Sequence, residues 1–351
     1  MPSWSAFVKK RISMNNHVKL SVTDQVPFQA YQTLGKESAI LLATDENAEE
    51  FFFNSCINCR LRNPKGNTEF SYICDYTPWF PGQDVFYTQF IPIDVNDTTQ
   101  EDIITRVMEY LDLGIYVAGI FNEKYIPHKS AYKKRDFRHG FFIYGYNQNE
   151  HLFYALGYTD RLKFEFYPIA FSDFAQGFLG LKEPRFEVHF RNREKKLEFN
   201  LQQVYDELGD YLRSDYTINR AIGKHKNDLY GIRAHQAFRS YVARIGQENG
   251  FLDVRFSRFF FENKEFMLKR LSFLYQKGYI KDYSQKYSAV AQKSKIIHFL
   301  FLKYNMTRRP AILESIDCLL AEINQMDEEV LFAVYEDLTE KSKREKEEIY
   351  L

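Results

Sequence analysis

"RDFRHGFFIYGYNQNEHLFYALGY", residues 135–158, carries the pattern that decides the fold. A run of apolar and aromatic residues follows His139 and ends at the turn signal Gly145-Tyr146-Asn147, and a second apolar run, "HLFYALGY", follows the turn. Two such runs joined by a short polar turn read as paired antiparallel strands. On an extended strand His139 shares a face with Phe141, Ile143 and Gly145.

Working outward, the first half of the chain reads as short strands with few helices. "EFFFNSCINCRL" and "TEFSYICDY" flank the turn-rich "RNPKGN" and read as a hairpin, and "DVFYTQFIPI" and "IYVAGIFN" read as further strands. Between these two, "TTQEDIITRVMEYLDLG" reads as a helix: Thr98 or Thr99 caps it, acids fill its first turn, and Gly114 stops it. "LKFEFYPIAF" continues the strands, and "FSDFAQGF" is a short helix opened by Ser172 or Asp173.

After the bridge "HFRNREKKLEF" the apolar spacing turns helical, from Leu201 through Val204, Leu208 and Leu212. Three further helical stretches follow, and a last one starts at Pro310 with a break expected near Asn324. The expected class is α+β: a mixed domain with an antiparallel sheet over residues 1–195, then an all-α domain over 196–351.

Lys plus Arg and Asp plus Glu both total 47, so charge gives no reason to expect a nucleic-acid partner. No apolar run is long enough to span a bilayer, and "MPSWSAFVKKRISMNNHVKL" lacks the apolar core of a secretory signal. Four scattered cysteines make no disulfide framework in a chain of 351 residues. The expectation is a cytoplasmic protein without a membrane partner.

His139 is the first candidate site residue. Papain-like enzymes place a histidine at the head of one strand, and an Asn or Asp on the next strand fixes its tautomer. Such a site also needs a nucleophile at the start of an early helix, where the helix dipole and the imidazole lower a thiol pKa. "PFQAYQTLGKESAILLA" has that outline, with Gln29 and Gln32 in a loop, Gly35, and then a short helix. Gln32 is the candidate oxyanion donor. Ser38 stands where the cysteine is expected, and the plainer reading makes it a helix-cap serine. Gly157 stands near the place of the orienting acid, with Asn147 and Asp160 as substitutes nearby.

Other stretches have plainer readings. Cys56 and Cys59 form one CxxC without a second pair, and on a strand they point to opposite faces, against a zinc site. Either could serve as an alternative nucleophile. Cys318 lies beside the helical stripe of Ile312, Ile316, Leu319 and Ile323 and reads as a packing residue. Lys129, Lys133, Lys134 and Arg135 form a basic loop before His139, either solvated or positioned to receive a phosphopantetheine phosphate or an acidic carrier surface.

The stretch "YIPHKSAYKKRDFRHGFFIYGYNQNEHLFYALGY" resembles the N-terminal-domain family of the butirosin-biosynthesis acyltransferases. The matching positions are Tyr116-Val117, Ile126-Pro127, His139, Ile143 to Asn147, and Gly157. "LYGIRAHQAFRSYV" and "LDVRFSRFFFENKEFMLKRLSFL" are similar to the helical tail of the long members. The resemblance implies a papain-like fold that moves an acyl group from a carrier-protein thioester to a small-molecule amine, in non-ribosomal peptide or polyketide natural product biosynthesis. It implies no metal, and no cofactor beyond the carrier's phosphopantetheine arm.

This sequence departs from the family at Ser38 and Gly157; only His139 carries over. Two expectations follow. One is an acyltransferase or amide-forming enzyme with His139 as base, Ser38 as nucleophile, Gln32 as oxyanion donor and Asn147 as orienting residue. The other is a catalytically degenerate pseudoenzyme that serves as a binding partner of an assembly line. A thiol hydrolase using Cys56 or Cys59 is a third.

Overall fold

The computed structural model describes residues 15–62, 69–72, 85–217 and 227–349. The first elements in chain order are β1 (His17–Lys19), α1 (Gln32–Thr44), α2 (Ala48–Phe52), β2 (Cys59–Arg62), β3 (Glu69–Tyr72), β4 (Phe86–Pro92), α3 (Gln100–Asp112) and β5 (Tyr116–Asn122). Then come β6 (Arg138–Asn147), β7 (Leu152–Tyr158), β8 (Phe164–Ala170), α4 (Phe171–Leu179) and β9 (Arg185–Arg191). The chain ends with α5 (Leu201–Arg213), β10 (Leu229–Tyr230), α6 (Gly231–Gln247), α7 (Val254–Gln276), α8 (Ser284–Thr307) and α9 (Pro310–Ile349). The class is α+β, with an antiparallel sheet and a helical C-terminal region.

The chain divides into two compact units. One holds residues 1–26, 32–46 and 84–196; the other holds 27–31, 47–83 and 197–351. The expected split at 195/196 therefore needs correction: two early segments, one carrying the CxxC, belong with the helices. The cause lies in the buried contacts of residues 53–58, described below.

In the first unit a seven-stranded antiparallel sheet runs in the order β4-β9-β5-β6-β7-β8, and β1 pairs with the far end of β6. Residues of "RFEVHFR", part of which reads as a bridge in sequence, form β9, inserted between β4 and β5. Of the two expected caps of α3 it is Thr99 that serves, in a capping box: Thr99 accepts from the Asp102 amide, and the Asp102 side chain returns to Thr99. α4 instead begins at Phe171, with Ala170 at its cap and no side-chain hydrogen bond there.

Strand alternation sends Phe121, Phe141, Ile143, Phe186 and Val188 to a core shared with α3 and α4. It sends Tyr116, Ala118, Phe142 and Tyr144 to a second core with Ala39 and Ile40 of α1. The sheet is thus covered on both faces. β6 carries a bulge between Ile143 and Gly145 against β7. There β1 approaches so closely that a Cβ on Gly145 would lie 2.4 Å from the Val18 carbonyl oxygen. The glycine read as a turn signal is an in-strand position that admits a neighbouring backbone.

In the second unit a small sheet, β10-β2-β3, accompanies helices α5 to α9. Only the end of "FFFNSCINCRL" is a strand: α2 ends at Phe52, and β2, beginning at Cys59, pairs antiparallel with β3 as the hairpin reading expects. The irregular residues between them are buried, and side chains satisfy their backbone in place of a ladder. Arg270 donates to the Phe53 and Ser55 carbonyls, Asn263 donates to the Cys56 carbonyl, and Glu207 accepts from the Ile57 amide. Burial pushes the Glu207 carboxyl up to about 7. α9 runs unbroken past Asn324, because Ile316, Leu320, Ile323 and Leu331 keep one face of it buried. Cys318 lies off that stripe and is exposed.

Gly145→Ala forces β1 and β6 apart and is expected to cost on the order of 1–3 kcal/mol. The urea midpoint of the variant against wild type measures it.

Candidate functional site

His139 stands at the head of β6, as its position in sequence indicates, and its ring is half-exposed. Its partner follows β5 directly and does not lie on β7. Its Nδ1 lies 2.8 Å from Glu123 Oε1, with Phe121 directly across the ladder. Glu123 sits in a single 3-10 turn after β5, capped by Asn122, whose side chain also accepts from the Phe137 amide and donates to Asp136. A buried carboxylate accepting Nδ1–H fixes one tautomer and leaves Nε2 as the acceptor. This acid was missed in the sequence; an Asn-Glu pair closing an apolar strand is the only signal there.

Lys129 lies behind this pair. Read as a surface cation, it is instead buried: its Nζ donates to the Tyr158 carbonyl and sits 3.9 Å from Glu123 Oε1 and 4.4 Å from the Tyr167 ring centroid. Burial pulls the ammonium down to about 8, against the opposing pull of Glu123. The Tyr167 hydroxyl is buried beside it with no hydrogen-bond partner among the described residues. Lys129 is therefore no phosphate anchor on the surface.

Ser38 does not join His139. It lies almost two turns into α1, beyond the first turn in which a helix dipole acts, and is 1% exposed. α1 covers the sheet face of Phe142 and Tyr144, whereas His139 shares its face with Phe141 and Ile143. Asn147 ends β6, eight residues from His139, which along a strand is roughly 25 Å. It is the acceptor for the Glu150 amide and orients no imidazole.

Gln32, the first residue of α1, is where the site and the fold meet. A Cβ on Gly157 would lie 2.9 Å from Gln32 Nε2, and one on Gly140 would lie 3.9 Å from it. The amide fills the space that two strand glycines leave. Both its nitrogen and its oxygen are buried without a partner among the described residues. An orphaned primary amide at this depth costs about 1–3 kcal/mol.

One turn on, Lys36 is buried, with its Nζ 2.6 Å from Glu187 and 3.1 Å from His189 Nε2. His189 Nδ1 lies 3.1 Å from Thr88 Oγ1. Burial holds the imidazole below its usual pKa, against the opposing pull of Glu187, whose Oε1 lies 3.1 Å from the same Nε2. Burial alone would raise the Glu187 carboxyl; the adjacent imidazole and Lys36 outweigh it and hold it near 2. This network is complete in itself and holds α1 to β9.

In the second unit Cys59 Sγ lies 3.0 Å from His235 Nε2, inside a network with Tyr211, Asp327, Lys264 and Tyr287. The pair has the composition of a catalytic dyad with the opposite electrostatics. Burial pushes the thiol up to about 12 and holds His235 well below its normal value. A protonated, fully buried thiol is inert. Among the described residues no group of three His, Cys, Asp or Glu side chains is placed to hold a metal, and no helix is long and apolar enough to cross a membrane.

Two measurements test these assignments. Between about pH 8 and 10.5 the unfolded chain keeps a proton on Lys129 that the folded chain has lost. Wild type therefore gains stability relative to Lys129→Met as pH rises through that window, by on the order of 3 kcal/mol in all; denaturation midpoints at each pH report it. Iodoacetamide at neutral pH labels Cys318 in the native chain and reaches Cys56 and Cys59 only after unfolding, as peptide mapping will show.

No protein-family model matches the chain. No curated protein matches it in sequence.

Proposed function

We propose that the chain is a papain-like protein, similar to acyltransferases that draw on carrier-protein thioesters, whose covalent machinery is lost and whose role is binding. It is a catalytically degenerate partner of a biosynthetic assembly line. The observation that carries this reading is Gln32. A papain-like site needs a nucleophile at the start of the helix and a base and an acid on the two strands that face it. Here the start of α1 is an amide, and the strand residues it rests on are Gly140 and Gly157, which have no side chain to offer. Ser38 supplies no substitute, because it is buried far along the helix.

A second reading rests on the 2.8 Å contact of His139 with Glu123. An imidazole held in this way takes a proton on Nε2 from an amine that attacks a carrier-bound thioester directly, with no acyl-enzyme.

One experiment separates the two. The chain is incubated with an acyl-carrier thioester and a panel of small amines, and then examined by intact-protein mass spectrometry with product analysis. The binding reading expects the acyl carrier to be retained on the immobilised chain, with the chain's mass unchanged and no amide formed. Amide formation that falls at least a hundredfold in His139→Ala, again without an adduct, selects the second reading. An acyl adduct that disappears in Ser38→Ala overturns both.

A further inference from the structure

On the sheet face that α1 covers, β4, β5, β6 and β9 end in an open cavity of about 700 Å³. Pro92 of β4 and Ile120 of β5 form an apolar floor with Leu181, and Ile120 is 47% exposed. Arg138 of β6 and Arg185 of β9 stand on either side, with Lys182 at the rim. The ladders fix this arrangement. Ile120 pairs with Gly140 on β6, and the adjacent Gly119 pairs with Phe186 on β9. β5 therefore runs between the two arginine strands, and with Arg138 two residues along β6 from Gly140 the two arginine backbones lie roughly 12 Å apart.

The cavity's charges are unbalanced. Among the described residues no carboxylate pairs with Arg138, Lys182 or Arg185. Asp94 accepts from the backbone and side-chain amides of Asn96, and Glu183 is the other acid of the lining. Arg185 lies over the Phe90 ring, 5.0 Å from its centroid, so its guanidinium is held in place. Elsewhere in this unit the buried cations have acids: Lys36 has Glu187, Lys129 has Glu123, and Arg191 has Asp45.

We infer that this cavity binds a small amphipathic anion. Its carboxylate or phosphate lies between the guanidiniums of Arg138 and Arg185, and its apolar body covers Ile120, Pro92 and Leu181. A planar guanidinium offers paired donors to such a head group. The volume is that of a pocket for a ligand of moderate size, and an exposed isoleucine at its floor accounts for an apolar body, where a bare ion would leave it wet. The site stands on the cavity itself and holds whether or not the chain turns a substrate over.

The test is isothermal titration of the full chain with four probes: octanoate, octyl phosphate, octyltrimethylammonium and inorganic phosphate. The inference expects saturable one-to-one binding of an octyl anion, with the tighter of the two identifying the head group. It expects no binding of the ammonium and at least tenfold weaker binding of phosphate alone. Arg138→Gln and Arg185→Gln, both at exposed positions, each weaken the anion about tenfold to a hundredfold, while circular dichroism stays unchanged. Ile120→Asn weakens octanoate and leaves inorganic phosphate unaffected. Equal affinity for the ammonium, unchanged affinity in either arginine variant, or no saturable binding of either octyl anion at millimolar concentration overturns it.

Discussion

One buried ammonium sets the geometry of the first unit. Lys36 lies in α1, and its charge is met by Glu187 at 2.6 Å, with His189 Nε2 at 3.1 Å, both on β9. A buried lysine that lost these partners would be an uncompensated charge, so the helix cannot slide along the sheet without breaking the pair. Because α1 is held at Lys36, its first residue, Gln32, is pressed against Gly140 and Gly157. The occupied space at the amino end of the helix follows from that anchor.

The polar groups of the unit then fall on two faces. One face has Lys36, Glu187, His189 and Gln32, and beyond them the arginine-lined cavity. The other has His139, Glu123, Lys129 and Tyr167. On the first, the charges inside the core are matched and those of the cavity are not. On the second, a half-exposed imidazole is backed by a carboxylate and a buried amine. A nucleophile needs its base within hydrogen-bond reach, and the alternation of β6 denies this to Ser38. Among the described residues the thiol that does contact an imidazole, Cys59, sits in the second unit in surroundings that keep it protonated.

Much of the architecture is readable from local pattern. α3 announces itself through Thr99, Asp102 and the spacing of Ile103, Val107 and Leu111, because caps and stripes are made by residues three or four apart. β6 and β7 are legible for the same reason. The misreadings share one cause. Residues 53–58 have the composition of a strand, but Arg270, Asn263 and Glu207, all more than 140 positions away, satisfy their backbone instead. β9 hides in a charged segment because Glu187 and His189 answer to Lys36, about 150 residues earlier.

The sequence by itself determined most of the strands and helices, the α+β class, and the place of His139 at a strand head, since those depend on neighbours along the chain. Tertiary structure alone decided which carboxylate meets that imidazole, why Lys129 is buried, why Gln32 lies against two glycines, and where two arginines remain without acids among the described residues. Each of these depends on a partner brought close by strand order and face. A sequence pattern with a period of two or 3.6 residues carries no information about which distant element will fill that place.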